Sequence, residues 1–179
     1  MNIQHSSASS KWGTPASIID LVNTVLGTID LDPCSSTEFN RIVNATRFID
    51  EEENGLSDIP WTNANQPISV FVNPPAGKYQ GKSMPIAFWK KLLRTPITHA
   101  IFLGFSLEQL PQSQDCAISF YDYPTLIPRK RIKFDSPNEG ERTSPTHSNF
   151  ITYVPRTIDK TGLFLETFSS LGEFIQTLT

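Results

Sequence analysis

The chain has little sulfur, few glycines, no long apolar run and no surplus of positive charge. Its two cysteines, Cys34 and Cys116, form no CxxC pair and have no histidine close by in sequence, which excludes the common zinc patterns and a disulfide-stapled scaffold. Both are expected to be reduced thiols, and no metal is expected. No uncharged apolar stretch approaches the roughly 18 residues that span a bilayer, and the opening MNIQHSSASSKWGTP lacks the apolar centre of an export signal. The expectation is a cytoplasmic protein with no membrane partner. A net charge of -3 excludes an all-over cationic coat of the histone kind. Nine glycines against fourteen prolines mean turns that are stiff. The phosphate-loop pattern is also missing, because AGK at 76–78 has neither the spacing nor the hydroxyl residue after its lysine, and a nucleoside triphosphatase is set aside on that ground.

What remains is enough for one domain. A chain of 179 residues buries about two-thirds of its unfolded surface. Residues 1–11, with serines at 6, 7, 9 and 10, read as a disordered lead-in, and 12–179 as a single domain. Thr14 and Pro15 read as the cap and first residue of a helix over ASIIDLVNTVL that closes at Gly27. TIDLD at 28–32 alternates like a short strand, and serines after it suit a helix near 36–44. DEEENGL reads as a surface turn. ISVFV at 68–72 has the continuous apolar character of a strand buried on both faces, and THAIFLGF at 98–105 reads as a third strand. Between them SMPIAFWKKLLR carries a broad apolar face and ends in basic residues, as a helix prefers. SLEQL reads as a short helix capped by Ser106. TLIP, RIKF and FITYV read as later strands and GLFLETFSSLGEFIQTL as an amphipathic stretch. Helices alternating with buried strands imply an α/β sheet, mostly parallel with an antiparallel edge.

In such sheets ligands sit beyond the carboxyl ends of the strands. Three strand ends there carry polar or small residues: DLDPCSS, VFVNPPAGK and FLGFS. Asn73 followed by Pro74 and Pro75 is the most pointed of them. An amide held by two prolines presents a fixed acceptor, and the Pro74 carbonyl falls outside a regular ladder. Two adjacent acceptors are what is needed to hold an amino group and free its lone pair for attack. Asp30 and Asp32 share one face of their strand by the two-residue period, and either suits a cofactor hydroxyl or amino group, Asp32 being nearer the strand end, beside Pro33. Lys78 and Lys82 flank the same turn as candidate phosphate contacts. PRKRIKF offers Arg129, Lys130 and Arg131, with Arg131 and Lys133 on one face and Ile132 and Phe134 on the other. His147 precedes the FITYV strand and is a further candidate contact.

Read together and in order, KWGTPASIIDLV, TIDLDPCSS, FVNPP, GFSLEQL, IPRKRIKF and PTHSNFITYV resemble the phage-type adenine-specific DNA methyltransferases of the Dam family, and within it a compact N-P-P-small-G-K subgroup of phages and mobile elements. The resemblance runs from Trp12 onward. It implies a Rossmann-like methyltransferase sheet, S-adenosylmethionine as cofactor, DNA as partner and, in a phage setting, a host or phage protein as a second partner. Asn73, Pro74 and Pro75 match the family's (D/N)-P-P core, Thr14-Pro15 its threonine-proline segment beside the cofactor methionine, and DLDPCSS its acidic strand end. Two positions depart. Ala76 stands where the family has an aromatic that stacks on the flipped adenine, so stacking must come from elsewhere, with Tyr79 and Phe105 as candidates. Ser35 and Ser36 stand where many methyltransferases have glycines. Two expectations follow: adenine methyl transfer, or a non-catalytic module of the same fold that binds nucleic acid or a protein.

Overall fold

Apolar runs with a two-residue rhythm build the middle of a seven-stranded sheet, and that rhythm decides which side chains meet which helix. The computed structural model describes residues 13–63, 66–135, 142–143 and 147–175; the lead-in read at residues 1–11, and Trp12, lie outside them. The sheet comprises β1 (Leu31–Asp32), β2 (Arg47–Phe48), β3 (Ile68–Val72), β6 (Ile97–Gly104), β7 (Thr125–Pro128), β10 (Phe150–Pro155) and β11 (Gly172–Ile175). Two ribbons stand apart from it, β4 (Lys78–Tyr79) with β5 (Lys82–Ser83) and β8 (Phe134–Asp135) with β9 (Arg142–Thr143). The helices are α1 (Ala16–Leu26), α2 (Asn40–Val43), α3 (Met84–Arg94), α4 (Gln109–Gln112) and α5 (Thr161–Phe168).

The strand order is β11-β7-β10-β6-β3-β1-β2. Neighbours from β2 to β6 are parallel, while β10 runs antiparallel between β6 and β7, and β11 antiparallel to β7. Five strands therefore point one way, and the fold is α/β, Rossmann-like and mostly parallel with an antiparallel edge, as expected. Phe71, Ile101 and Leu103 turn to one face, where they pack with Ile19 and Val22 of α1 and Phe164 and Phe168 of α5. Val70, Val72 and Phe102 turn to the other, against Phe88, Trp89 and Leu92 of α3. Trp89 is fully buried and satisfies its indole N–H at the Ile118 carbonyl, 2.9 Å away. Among the described residues no helix is long and apolar enough to cross a membrane.

Several local expectations are corrected. Pro15, not Thr14, flanks α1, and no side chain caps that helix, because Thr14 is engaged elsewhere. Only Leu31–Asp32 of TIDLD is strand. The helix expected near 36–44 shrinks to α2: the Asn40 side chain folds onto Ala45, accepting its N–H at 2.9 Å and donating to its carbonyl at 3.1 Å, and Asn44 leaves the helix in a left-handed conformation at φ 54°. Ser106 accepts from the Glu108 N–H at 3.3 Å and so forms a turn ahead of α4, whose flanking residue is Glu108. RIKF is not a strand of the main sheet. The Ile132 N–H goes to the Asn149 side chain at 3.0 Å, and only Phe134–Asp135 pairs, in the separate ribbon. The expected division of faces holds all the same, with Ile132 and Phe134 buried and Arg131 and Lys133 exposed. The amphipathic C-terminal stretch breaks after α5 and supplies the edge strand β11.

Candidate functional site

Because β1, β3, β6 and β7 point the same way, the residues that follow them collect at one edge of the sheet: Asp32 to Ser35, Asn73 to Pro75, Phe105 and Ser106, and Arg129 onward. The segment before α1 is drawn to the same edge by Gly13, which exchanges backbone hydrogen bonds of 2.9 Å with Asp135 in both directions. Thr14 is thereby held beside Asn73. It is buried, and its Oγ1 accepts a hydrogen bond of 3.0 Å from Asn73 Nδ2.

That bond sorts the two ends of the amide. With its nitrogen committed to Thr14, Asn73 presents its carbonyl oxygen on the other side. Pro74 is buried and Pro75 half-buried, and among the described residues no backbone amide donates to the Pro74 carbonyl. Two acceptors are therefore left at this turn.

Asp32 lies beneath them, 3 % exposed. Burial pushes its carboxyl up to about 7; the opposing influences are the Cys34 N–H, which donates to Oδ1 at 3.1 Å, and the side chains of Ser35 and Cys34. No cation is among the groups that shift it. The Ser35 hydroxyl leans on this carboxyl but reaches full hydrogen-bond geometry with no partner among the described residues. Burial also raises the Cys34 thiol well above its ordinary value, with the Asp32 charge adding to the effect and the Asn73 backbone amide opposing it. Buried Asp32 and half-buried Cys34 and Asn73 thus form one cluster. Pro33, which follows Asp32, is also buried. Asp30 is placed differently: its Oδ2 accepts from the Ser69 N–H at 2.8 Å and hydroxyl at 2.9 Å, level with Ser69 and four positions before Asn73. It ties β1 to β3.

The candidate nucleic-acid contacts fall into three places. Tyr79 and Lys82 are cross-strand partners in the β4–β5 ribbon and both line a cleft of about 700 Å3 along α3, whereas Lys78 is exposed and does not line it. Phe105 and His147 come together edge to face, 6.4 Å between ring centroids. Arg129, Lys130 and Arg131 are exposed and line a second cleft of about 710 Å3 that reaches Pro15 and the start of α1. Arg129 is paired with Glu173 at 2.5 Å.

Sequence reasoning missed Cys34 as a member of the cluster and the cleft along α3. The first was hidden because a lone cysteine carries no signal of its own neighbours; the second had a trace in Lys90, Lys91 and Arg94. Among the described residues no three His, Cys, Asp or Glu side chains converge on a point that would hold a metal ion. No known protein family matches the chain, and no curated protein matches it either.

Proposed function

We propose that the protein is an S-adenosylmethionine-dependent DNA methyltransferase acting on the exocyclic amino group of adenine, of the phage or mobile-element type and working in the cytoplasm. The observation that carries this reading is the sorted amide of Asn73: its nitrogen is held by Thr14, and its oxygen and the Pro74 carbonyl are left as acceptors. Two such acceptors draw the amino hydrogens of a planar base nitrogen toward them and turn its lone pair outward.

The residues beneath the turn fit the cofactor. A buried carboxyl with no cation among the groups that shift it, and a neighbouring hydroxyl without a full partner, suit a ligand bearing an ammonium and hydroxyl groups. Asp32 and Ser35 would hold those groups, with Thr14, Pro15 and Pro33 as walls. When bound, the cofactor supplies an electrophilic methyl group on a sulfonium. The chain's own contribution is positioning: Asn73 and Pro74 would aim the amino nitrogen, and the Asp32 cluster would hold the cofactor's polar end, a source of rate that needs no proton relay at the moment of attack. The adenine must leave its stack to reach this turn. Ala76 is exposed and offers no ring, and the half-buried Phe105, after β6 at the same edge, supplies the stacking surface.

A second reading keeps the fold and loses the chemistry, a module that binds nucleic acid or a protein partner, and Ala76 in the aromatic position favours it. Incubation with labelled S-adenosylmethionine and duplex DNA decides between them. Label in adenine-containing DNA, and none in a duplex of guanine and cytosine alone, is the expected result; no label in either supports the binding module.

A further inference from the structure

The cleft along α3 carries a surplus of cations. Lys82 projects into it from the β4–β5 ribbon and Lys90, Lys91 and Arg94 from α3, against one acid in the lining, Asp58. Lys90 and Arg94 are four residues apart and share a helix face. They are half-buried and exposed respectively. Lys91 is spent on structure: its ammonium donates to the Ser57 and Ile59 carbonyls at 2.7 and 2.9 Å and sits 5.4 Å from the centre of the Trp61 ring, which floors the cleft. Among the described residues, no hydrogen bond or ion pair anchors the side chains of Lys82, Lys90 and Arg94 in this way. The Met84 N–H ties the ribbon to the start of α3 through the Gly77 carbonyl at 3.0 Å.

Position gives the charge a meaning. The ribbon follows Asn73, Pro74 and Pro75 after two residues, so the cleft leads away from the candidate site. The 11 residues of α3 cover about 16 Å at 1.5 Å per residue, a length over which a nucleic-acid strand presents several phosphates. A pocket for an apolar small molecule carries only a few polar groups; this one sets Lys82, Lys90, Lys91 and Arg94 beside apolar lining that includes Trp61 and Tyr79.

We propose that this cleft holds the sugar–phosphate backbone of the DNA strand leading away from the target base, with Lys82, Lys90 and Arg94 on its phosphates. The assignment rests on the DNA methyltransferase reading for its partner. Phosphate contacts of this kind position a strand without reading its sequence, and each neutralised phosphate adds about 0.9 to the dependence of log affinity on log salt.

The test is fluorescence anisotropy of a labelled adenine-containing duplex, without cofactor, across a sodium chloride series. Lys90→Gln/Arg94→Gln is expected to bind at least tenfold more weakly than wild type near 100 mM salt, with a salt slope smaller by nearly 2. Lys82→Gln, on an exposed ribbon residue outside the core, is expected to lower the slope by about 1. Arg41→Gln, which removes an exposed cation from α2, is expected to leave the slope unchanged. Wild-type affinity and slope in both cleft variants, or equal losses in the Arg41 variant, overturn the proposal. So does absence of duplex binding by the wild type. Binding that follows the cleft variants without any methyl transfer sinks the enzyme reading and leaves the cleft standing; methyl transfer with cleft variants that bind like wild type does the reverse.

Discussion

Asn73 Nδ2 and Thr14 Oγ1 meet at 3.0 Å across 59 residues of sequence, and this contact fixes which atom of the amide faces the space beyond the β3 end. A hydrogen bond of this kind contributes about 1 kcal/mol net to stability, so its larger consequence is orientation. Thr14→Val keeps the shape of the side chain and removes the acceptor. The expected outcome is a fall of tenfold or more in methyl transfer, appearing in kcat with KM for S-adenosylmethionine little changed, and a loss of no more than about 1.5 kcal/mol in urea unfolding. Wild-type kcat in that variant removes Thr14 from the positioning role.

Asp32 makes the protein's stability depend on pH in a definite sense. Its carboxyl titrates near 7 when folded, against 3.8 as its ordinary value. Between those values the folded state holds the extra proton, so stability from this group is complete below about pH 4 and is lost as pH rises through 7. The full loss is on the order of 4 kcal/mol. Asp32→Asn should therefore be more stable than wild type at pH 8 and similar to it at pH 4, read from urea midpoints across that range. It should also lose the cofactor-dependent rise in melting temperature, the trade expected of a charge kept for binding. Parallel pH profiles for the two proteins contradict the buried-carboxylate account.

Gly55 supports the same loop from below. A Cβ at this position would lie 2.1 Å from the Pro33 carbonyl oxygen and 3.0 Å from the Phe88 ring, and the nearer contact is backbone, which cannot swing aside. Gly55→Ala is expected to cost about 1–3 kcal/mol as overpacking and to weaken S-adenosylmethionine binding by shifting Pro33. A thermal-shift titration of the variant, compared with its own unliganded melting point, separates the two effects.

Those three positions differ in how far the sequence reveals them. Runs with one environment were legible: ISVFV and THAIFLGF read as strands because apolar residues dominate them, with Ser69, Thr98 and His99 as the polar exceptions, and SMPIAFWKKLLR reads as a helix because its apolar residues share a broad face and its basic residues lie toward its end. The turn at Asn73 was legible because proline leaves a backbone few choices. Elements decided by distant contacts were not. Gly172–Ile175 lies in a stretch with helical spacing, and it becomes a strand by pairing with Thr125–Pro128, at a glycine whose Cβ would meet the Ile127 carbonyl at 2.0 Å. Thr14 read as a cap because the residue to which it bonds is 59 positions away. The division between Asp30 and Asp32 was likewise open until Ser69 was seen to hold the first.

Phe105 and Tyr79 were equal candidates for stacking, and their surroundings separate them. Tyr79 reaches the Leu56 carbonyl through its hydroxyl at 3.4 Å and lines the cationic cleft, while Phe105 follows β6 beside His147. Loss of a stacking ring costs about 1–3 kcal/mol per base. Phe105→Ala is expected to raise KM for an adenine-containing oligonucleotide about tenfold or more and to abolish the fluorescence change of 2-aminopurine at the target position, with Tyr79→Ala close to wild type in both. The opposite pattern moves the stacking surface to the ribbon.

The central claim is that Asn73 and the Pro74 carbonyl hold the amino group that receives the methyl. Its most direct test is transfer of labelled methyl from S-adenosylmethionine to adenine-containing duplex DNA by wild type and by Asn73→Ala, with urea unfolding to establish that the variant folds. The account predicts label on the adenine amino nitrogen with the wild type and a loss of at least a thousandfold in a variant within about 1.5 kcal/mol of wild-type stability. A folded Asn73→Ala that methylates adenine at the wild-type rate contradicts it.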